Sequence, residues 1–151
     1  MNYRKFGKTG IEVSALGFGI MRLPTADGTP RSGLIDDKES IRMLRDAIDQ
    51  GLNYVDTAFY YHAGKSEEFV GRALQDGYRN KVYIADKMPV YAFKPGDDFD
   101  KIFEEQLRRL QTDHIDFYLL HSMNHNSWQK YAVEMDFLRS EERRVGKECR
   151  L

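Results

Sequence analysis

Short apolar runs alternate along this chain with stretches whose apolar residues recur at helical spacing. The runs at 52–56, 81–85 and 115–120 read as strands. Between them, Phe69, Val70, Ala73 and Leu74, and then Phe99, Phe103, Leu107 and Leu110, each form one helical face. Strands that alternate with helices must return by crossovers, which makes a parallel sheet of repeated βαβ units. The runs carry few polar interruptions, as strands covered on both faces do. This alternation limits the fold to an α/β architecture.

Boundary signals agree with that reading. Asp36 and Glu39 stand three apart, like a capping box, before a face of Ile41, Leu44, Ala47 and Ile48. Gly51 occupies the C-cap position of that helix, and Gly77 is expected to stop the helix that starts at Ser66. A third helix follows Pro95-Gly96-Asp97-Asp98, and a fourth, holding Trp128, Val133, Phe137 and Leu138, begins near Asn126. Ahead of the alternation, 3–5 and 11–13 flank Gly7-Lys8-Thr9-Gly10 as a hairpin, 14–20 is a glycine-rich strand, and 24–35 is a loop.

Composition removes several classes of function. A length of 151 residues is one domain. Its 23 basic and 24 acidic residues leave a net charge of -1, so nothing electrostatic points to nucleic acid or an anionic membrane surface. The one cysteine, Cys149, excludes an internal disulfide framework or a four-cysteine cluster within this chain. No apolar run approaches the ~20 residues of a membrane helix, and the first residues lack the apolar stretch of a signal peptide. A reducing, cytoplasmic setting is the expectation.

Two topologies compete. A doubly wound dinucleotide fold places G-x-G-x-x-G between its first strand and first helix. Here Gly17-Phe18-Gly19-Ile20-Met21-Arg22 carries the first two glycines, but Arg22 replaces the third and a long loop follows. A (β/α)8 barrel instead gathers its chemistry at the C-terminal ends of its strands. Those ends hold Asp56, Lys87 and His121, with Tyr61 five residues past Asp56. Singly, each has a plainer reading: Asp56 as a cap, Tyr61 as rim packing, Lys87 as a solvated lysine, His121 as a core histidine. All four falling in register on consecutive strand ends favours chemistry. His62, His114 and His125 share no metal-binding spacing, so no metal site is expected. Trp128 and the phenylalanines are expected to pack in the core or at the rim.

The chain resembles the aldo-keto reductases. The resemblance rests on an ordered series: the opening hairpin, Leu16-Gly17-Phe18-Gly19, Gly51-Leu52-Asn53-Tyr54-Val55-Asp56-Thr57-Ala58, and Tyr61 followed by Gly64-Lys65-Ser66-Glu67. Ile84-Ala85-Asp86-Lys87 and Asp113-His114-Ile115-Asp116-Phe117-Tyr118-Leu119-Leu120-His121 complete it. The resemblance implies a TIM-barrel type fold of which the N-terminal hairpin and about four βα units are present, over residues 1–138. It further implies a nicotinamide cofactor, usually NADPH with NADH not excluded, and a small carbonyl substrate reduced to an alcohol.

In that reading Tyr61 donates the proton and Lys87 stabilises its phenolate. Asp56 pairs with Lys87, and His121 orients the substrate oxygen. Met21, Arg22 and Asp56 fall where relatives place residues near the cofactor. The family's second half grips the cofactor phosphates, and this chain has no counterpart of it. A half barrel exposes strand edges, so self-association is expected. Two alternatives remain: a non-catalytic nicotinamide-binding regulatory module on the same fold, and a truncated, inactive fragment. Residues 139–151 do not match the family pattern. They read either as a solvated helix end or as an out-of-frame, adapter-derived tail.

Overall fold

The computed structural model describes residues 1–92 and 99–130. Strand β1 (Tyr3–Lys5) pairs antiparallel with β2 (Glu12–Ser14), so Tyr3 faces Ser14 and Lys5 faces Glu12. Gly7 and Gly10, at φ of 56° and 80°, close the turn in conformations that side chains disfavour. The second hairpin strand runs one residue later than expected. Ser14 stays in the hairpin, and the Ala15 N–H donates to Asn2 O at 2.7 Å. The strand expected over 14–20 is therefore confined to β3 (Phe18–Gly19).

The loop to residue 35 is pinned by a bridge between Thr25 and Ile35. Helix α1 (Asp37–Asp49) begins where Asp36 Oδ1 accepts the Glu39 N–H at 3.1 Å. Only half of the capping box forms, because the Glu39 carboxylate turns outward to Arg42. Past the helix, the Gly51 and Leu52 N–H groups bond back to Ile48 O and Ala47 O. That C-cap holds residues 51 and 52 out of the sheet, and β4 spans Tyr54–Asp56 alone.

Helix α2 (Ser66–Ala73) stops before Gly77, correcting the expected terminator. Gly77, at φ 83°, instead opens the 3-10 turn Tyr78–Lys81. That turn delays β5 to Tyr83–Met88, so Lys87 lies inside the strand and not after it. Helix α3 (Phe99–Leu110) is followed by β6 (Phe117–Leu120). The four strands form one parallel sheet in the order β3-β4-β5-β6. A short helix, His125–Ser127, starts where the fourth helix was expected, capped by Asn124. Val133, Phe137 and Leu138, expected on that helix, and the 139–151 tail lie outside the described residues.

The helix-covered side of the sheet holds the core. Val55 and Ile84 pack there with Leu44, Ile48, Phe69, Val70, Ala73, Leu74 and Leu110. Phe69 is fully buried, which stabilises by about 1.5–3 kcal/mol. Helices α2 and α3 meet closely at Gly71, where a Cβ would lie 2.6 Å from Arg109 O. The apolar face expected of α3 is only partly right. Its fully covered residues are Gln106 and Leu110, while Phe103 stacks on Tyr118 with ring centroids 5.1 Å apart. Trp128, expected to pack, is instead 43% exposed.

The other face of the sheet is the inner one, reached by every second residue of each strand. At its N-terminal end Tyr54, Tyr83 and Phe117 cluster, and Phe6 from the hairpin stacks on Phe117 at 4.5 Å. Arg79 ties β6 to β5, since Asp116 Oδ2 accepts from both Arg79 Nη2 (2.9 Å) and the Ile84 N–H (2.8 Å). Asp56 and Lys87 sit on the inner face at its C-terminal end. Among the described residues no helix is long and apolar enough to cross a membrane.

Candidate active site

Asp56 is the last residue of β4, and Lys87 points the same way from the neighbouring β5. Their register sets the pair: Asp56 lies opposite Ala85, so Lys87, two residues on, can reach back over it. Lys87 Nζ meets Asp56 Oδ1 at 2.8 Å and the Thr57 carbonyl at 2.6 Å. The same ammonium lies 4.9 Å from the centre of the Tyr61 ring. Tyr61 in turn stands edge-on to His121, with ring centroids 5.7 Å apart. Four side chains from three strand ends thus form one contiguous chain of contacts.

Tyr61 is delivered by a strained turn. It opens the 3-10 segment Tyr61–Gly64, in which His62 and Ala63 both have φ of 51°. Left-handed conformations are costly outside glycine and persist only where the surroundings impose them. His62 supplies that constraint. Its ring is buried, Nε2 accepts the Leu23 N–H at 3.0 Å, and Nδ1 donates to Ser32 O at 2.7 Å. The sequence reading assigned His62 nothing; its position beside Tyr61 was the available signal, but its partners lie 30 and 39 residues away.

His121 follows β6, and its backbone N–H donates to Met88 O at 3.0 Å. Ring Nδ1 is buried with no hydrogen-bond partner among the described residues. Burial first, and the Lys87 charge second, hold its pKa below the ordinary imidazole value, with Asp56 opposing. The ring is therefore neutral at neutral pH. Tyr91 also packs on His121, with ring centroids 5.6 Å apart, and Tyr60 lies 5.5 Å from Tyr91. Burial raises the Tyr91 pKa, so that hydroxyl stays protonated. An open groove of about 500 Å³ leads away past Tyr91, Ser122, Asn124 and Lys130.

Met21 and Arg22 are not brought into that chain of contacts. They lie in the 3-10 turn Ile20–Arg22, which packs against the Tyr61–Gly64 turn, with Met21 half-buried and Arg22 exposed. Sequence reasoning also missed a buried cluster of Glu67, Asp86 and Gln106 behind Lys87. Two signals pointed to it: an acid within the apolar run of β5, and a glutamine on the apolar stripe between Phe103 and Leu110.

A four-stranded parallel sheet thus carries Asp56, Tyr61, Lys87 and His121 at one rim. The chain belongs to the aldo-keto reductases: the model of the Aldo/keto reductase family matches residues 15–140. It is 39% identical over 130 residues to the aldo-keto reductase YhdN of Bacillus subtilis, a match covering 80% of this chain and 38% of that protein. Among solved structures, the thermostable aldo-keto reductase Tm1743, bound to the inhibitor epalrestat, aligns at a TM-score of 0.73 and 32% identity. That alignment covers 97% of this chain and 51% of the other. An aldo-keto reductase from Klebsiella pneumoniae in complex with NADPH aligns at 0.63 and 30% identity, covering 83% and 43%. The chain thus spans about two fifths to half the length of these relatives.

Proposed function

We propose that this chain carries the catalytic rim of an NADPH-dependent reductase that converts a small aldehyde or ketone to its alcohol in the cytoplasm. The observation that supports this most is the unbroken run of contacts Asp56–Lys87–Tyr61–His121. Family membership and the NADPH-bound Klebsiella neighbour support the nicotinamide part.

The residues fit the nicotinamide end of such a cofactor. A buried nitrogen without a partner costs free energy until a ligand atom meets it, and His121 Nδ1 is one, on the rim beside Tyr61. Met21, Arg22 and Asp56 would hold the cofactor, which when bound supplies a hydride to the carbonyl carbon. The developing negative charge on the substrate oxygen then needs donors. Tyr61 gives its hydroxyl proton to that oxygen, and neutral His121 holds the oxygen in place by a hydrogen bond. Lys87 stabilises the phenolate left on Tyr61. Asp56 and the Thr57 carbonyl fix the ammonium, which limits the cost of burying it.

The test is NADPH oxidation with a panel of aldehydes and ketones, alongside NADPH binding. Tyr61→Phe should lower kcat by about 10²–10⁴-fold with nearly unchanged NADPH affinity. Equal turnover would remove Tyr61 as the acid. NADPH binding without turnover of any carbonyl would favour the regulatory-module reading.

A further inference from the structure

Behind Lys87, on the helix-covered face of β5, lies a polar cluster that this reaction does not use. Asp86, Glu67 and Gln106 are each fully buried. Gln106 Nε2 lies 2.8 Å from Glu67 Oε1, 2.9 Å from Asp86 Oδ2 and 3.2 Å from the Lys87 carbonyl. The Tyr118 hydroxyl donates to Gln106 Oε1, which turns the amide nitrogen toward the carboxyls. An amide nitrogen carries two hydrogens, too few for three acceptors. Both fully buried carboxyls lie against that one nitrogen, and Arg109 is paired with Glu67, so ionising both carboxyls would set two like charges side by side. Arg109 Nη1 lies 3.1 Å from Glu67 Oε2, so Glu67 is the charged partner and the proton resides with Asp86. Asp86 Oδ1 accepts the Lys87 backbone N–H at 2.8 Å. The Lys87 backbone is thus held at its N–H by Asp86 and at its C=O by Gln106.

We propose that Asp86 stays protonated beside an ionised Glu67 and that the two, with Gln106, form a positioning element that holds Lys87 so that its ammonium lies between Asp56 and Tyr61. The importance of that placement rests on the reading of Lys87 given above; the protonated Asp86 does not. Asp86 is faced by Glu67 from α2, Gln106 and Arg109 from α3, Tyr118 from β6 and Lys87 beside it. Burial first, and the Glu67 charge second, push the Asp86 carboxyl well above the usual carboxylate range.

Two readouts on the 151-residue chain test the proposal without any activity, so failure of the reductase reading leaves them interpretable. The first is infrared absorption of a protonated carboxyl at neutral pH, where solvated carboxylates are silent. The band is expected in the wild type and lost in Asp86→Asn, whose amide reproduces the protonated acid. No band in the wild type, or a band that survives Asp86→Asn, overturns the protonated Asp86. The second is hydrogen exchange of the Lys87 amide. Asp86→Leu should lower its protection by about tenfold, whereas Asp86→Asn, which keeps the acceptor, should not. Unchanged protection in Asp86→Leu overturns the positioning role. Should a variant not fold, a wild-type titration decides. Raising the pH until the band bleaches must tighten the Lys87 amide relative to that of Ile84, because a carboxylate accepts its N–H more strongly than the acid does, and bleaching that leaves it unmoved overturns the proposal.

Discussion

His121 and His62 show how two histidines on one rim are put to different uses. His121 is partly desolvated beside a fixed ammonium, which favours its neutral form. Its folded pKa is below the ordinary value of about 6.5, so between the two the unfolded chain binds more protons and stability rises with pH. That contribution is fully present above about pH 6.5 and is lost as pH falls through the folded value. Asp86, raised in the fold, imposes the opposite slope from the ordinary carboxylate range up to its own folded value. Thermal melts against pH for wild type and His121→Gln should therefore differ by a slope confined to mildly acidic pH. Parallel curves would refute it. His62 is structural: His62→Ala strips the partner from the buried Leu23 N–H and releases the strained turn. A loss of about 1–3 kcal/mol is expected in denaturant melts, together with a changed environment of the Tyr61 ring by NMR.

At the scale of elements, the packing of α2 on α3 is decided at Gly71. An added methyl there would meet the backbone at Arg109 and Leu110 rather than a side chain that can swing away. Gly71→Ala should cost about 1–3 kcal/mol in urea melts, despite alanine's better helix propensity. A stabilised variant would mean that the two helices can separate freely. Element types were legible from periodicity, and so were the cap at Asp36 and the C-cap at Gly51, because these signals are local. The ends of β2, β4 and β5 were not. Each is displaced by a hydrogen bond or turn in competition with the ladder: Ala15 to Asn2, Leu52 to Ala47, and the 3-10 turn before Val82.

For the whole molecule, the two faces of the sheet differ. The helix-covered face is sealed, while Tyr54, Tyr83 and Phe117 on the inner face are only half-buried and Leu119 is 41% exposed. Among the described strands, β3 and β6 end the order, each with an unpaired side. Unpaired parallel edges beside an apolar face favour association. Sedimentation velocity should show species that grow with concentration, and Leu119→Lys should reduce them. A monomer at every concentration would contradict this.

The sequence by itself determined the α/β class, the helices and the faces of α1 and α2, the family, and the identity of the four rim residues. Those properties follow from periodicity and from short motifs in chain order. What the tertiary structure decided is which groups touch. The Lys87–Asp56 ion pair depends on the β4–β5 register, and the placement of Tyr61 depends on His62 reaching two distant backbone groups. The meeting of Asp86 and Glu67 in one buried cluster depends on three elements converging on one amide. Distances between residues far apart in the chain, and the loss of water around them, leave no periodic trace in sequence.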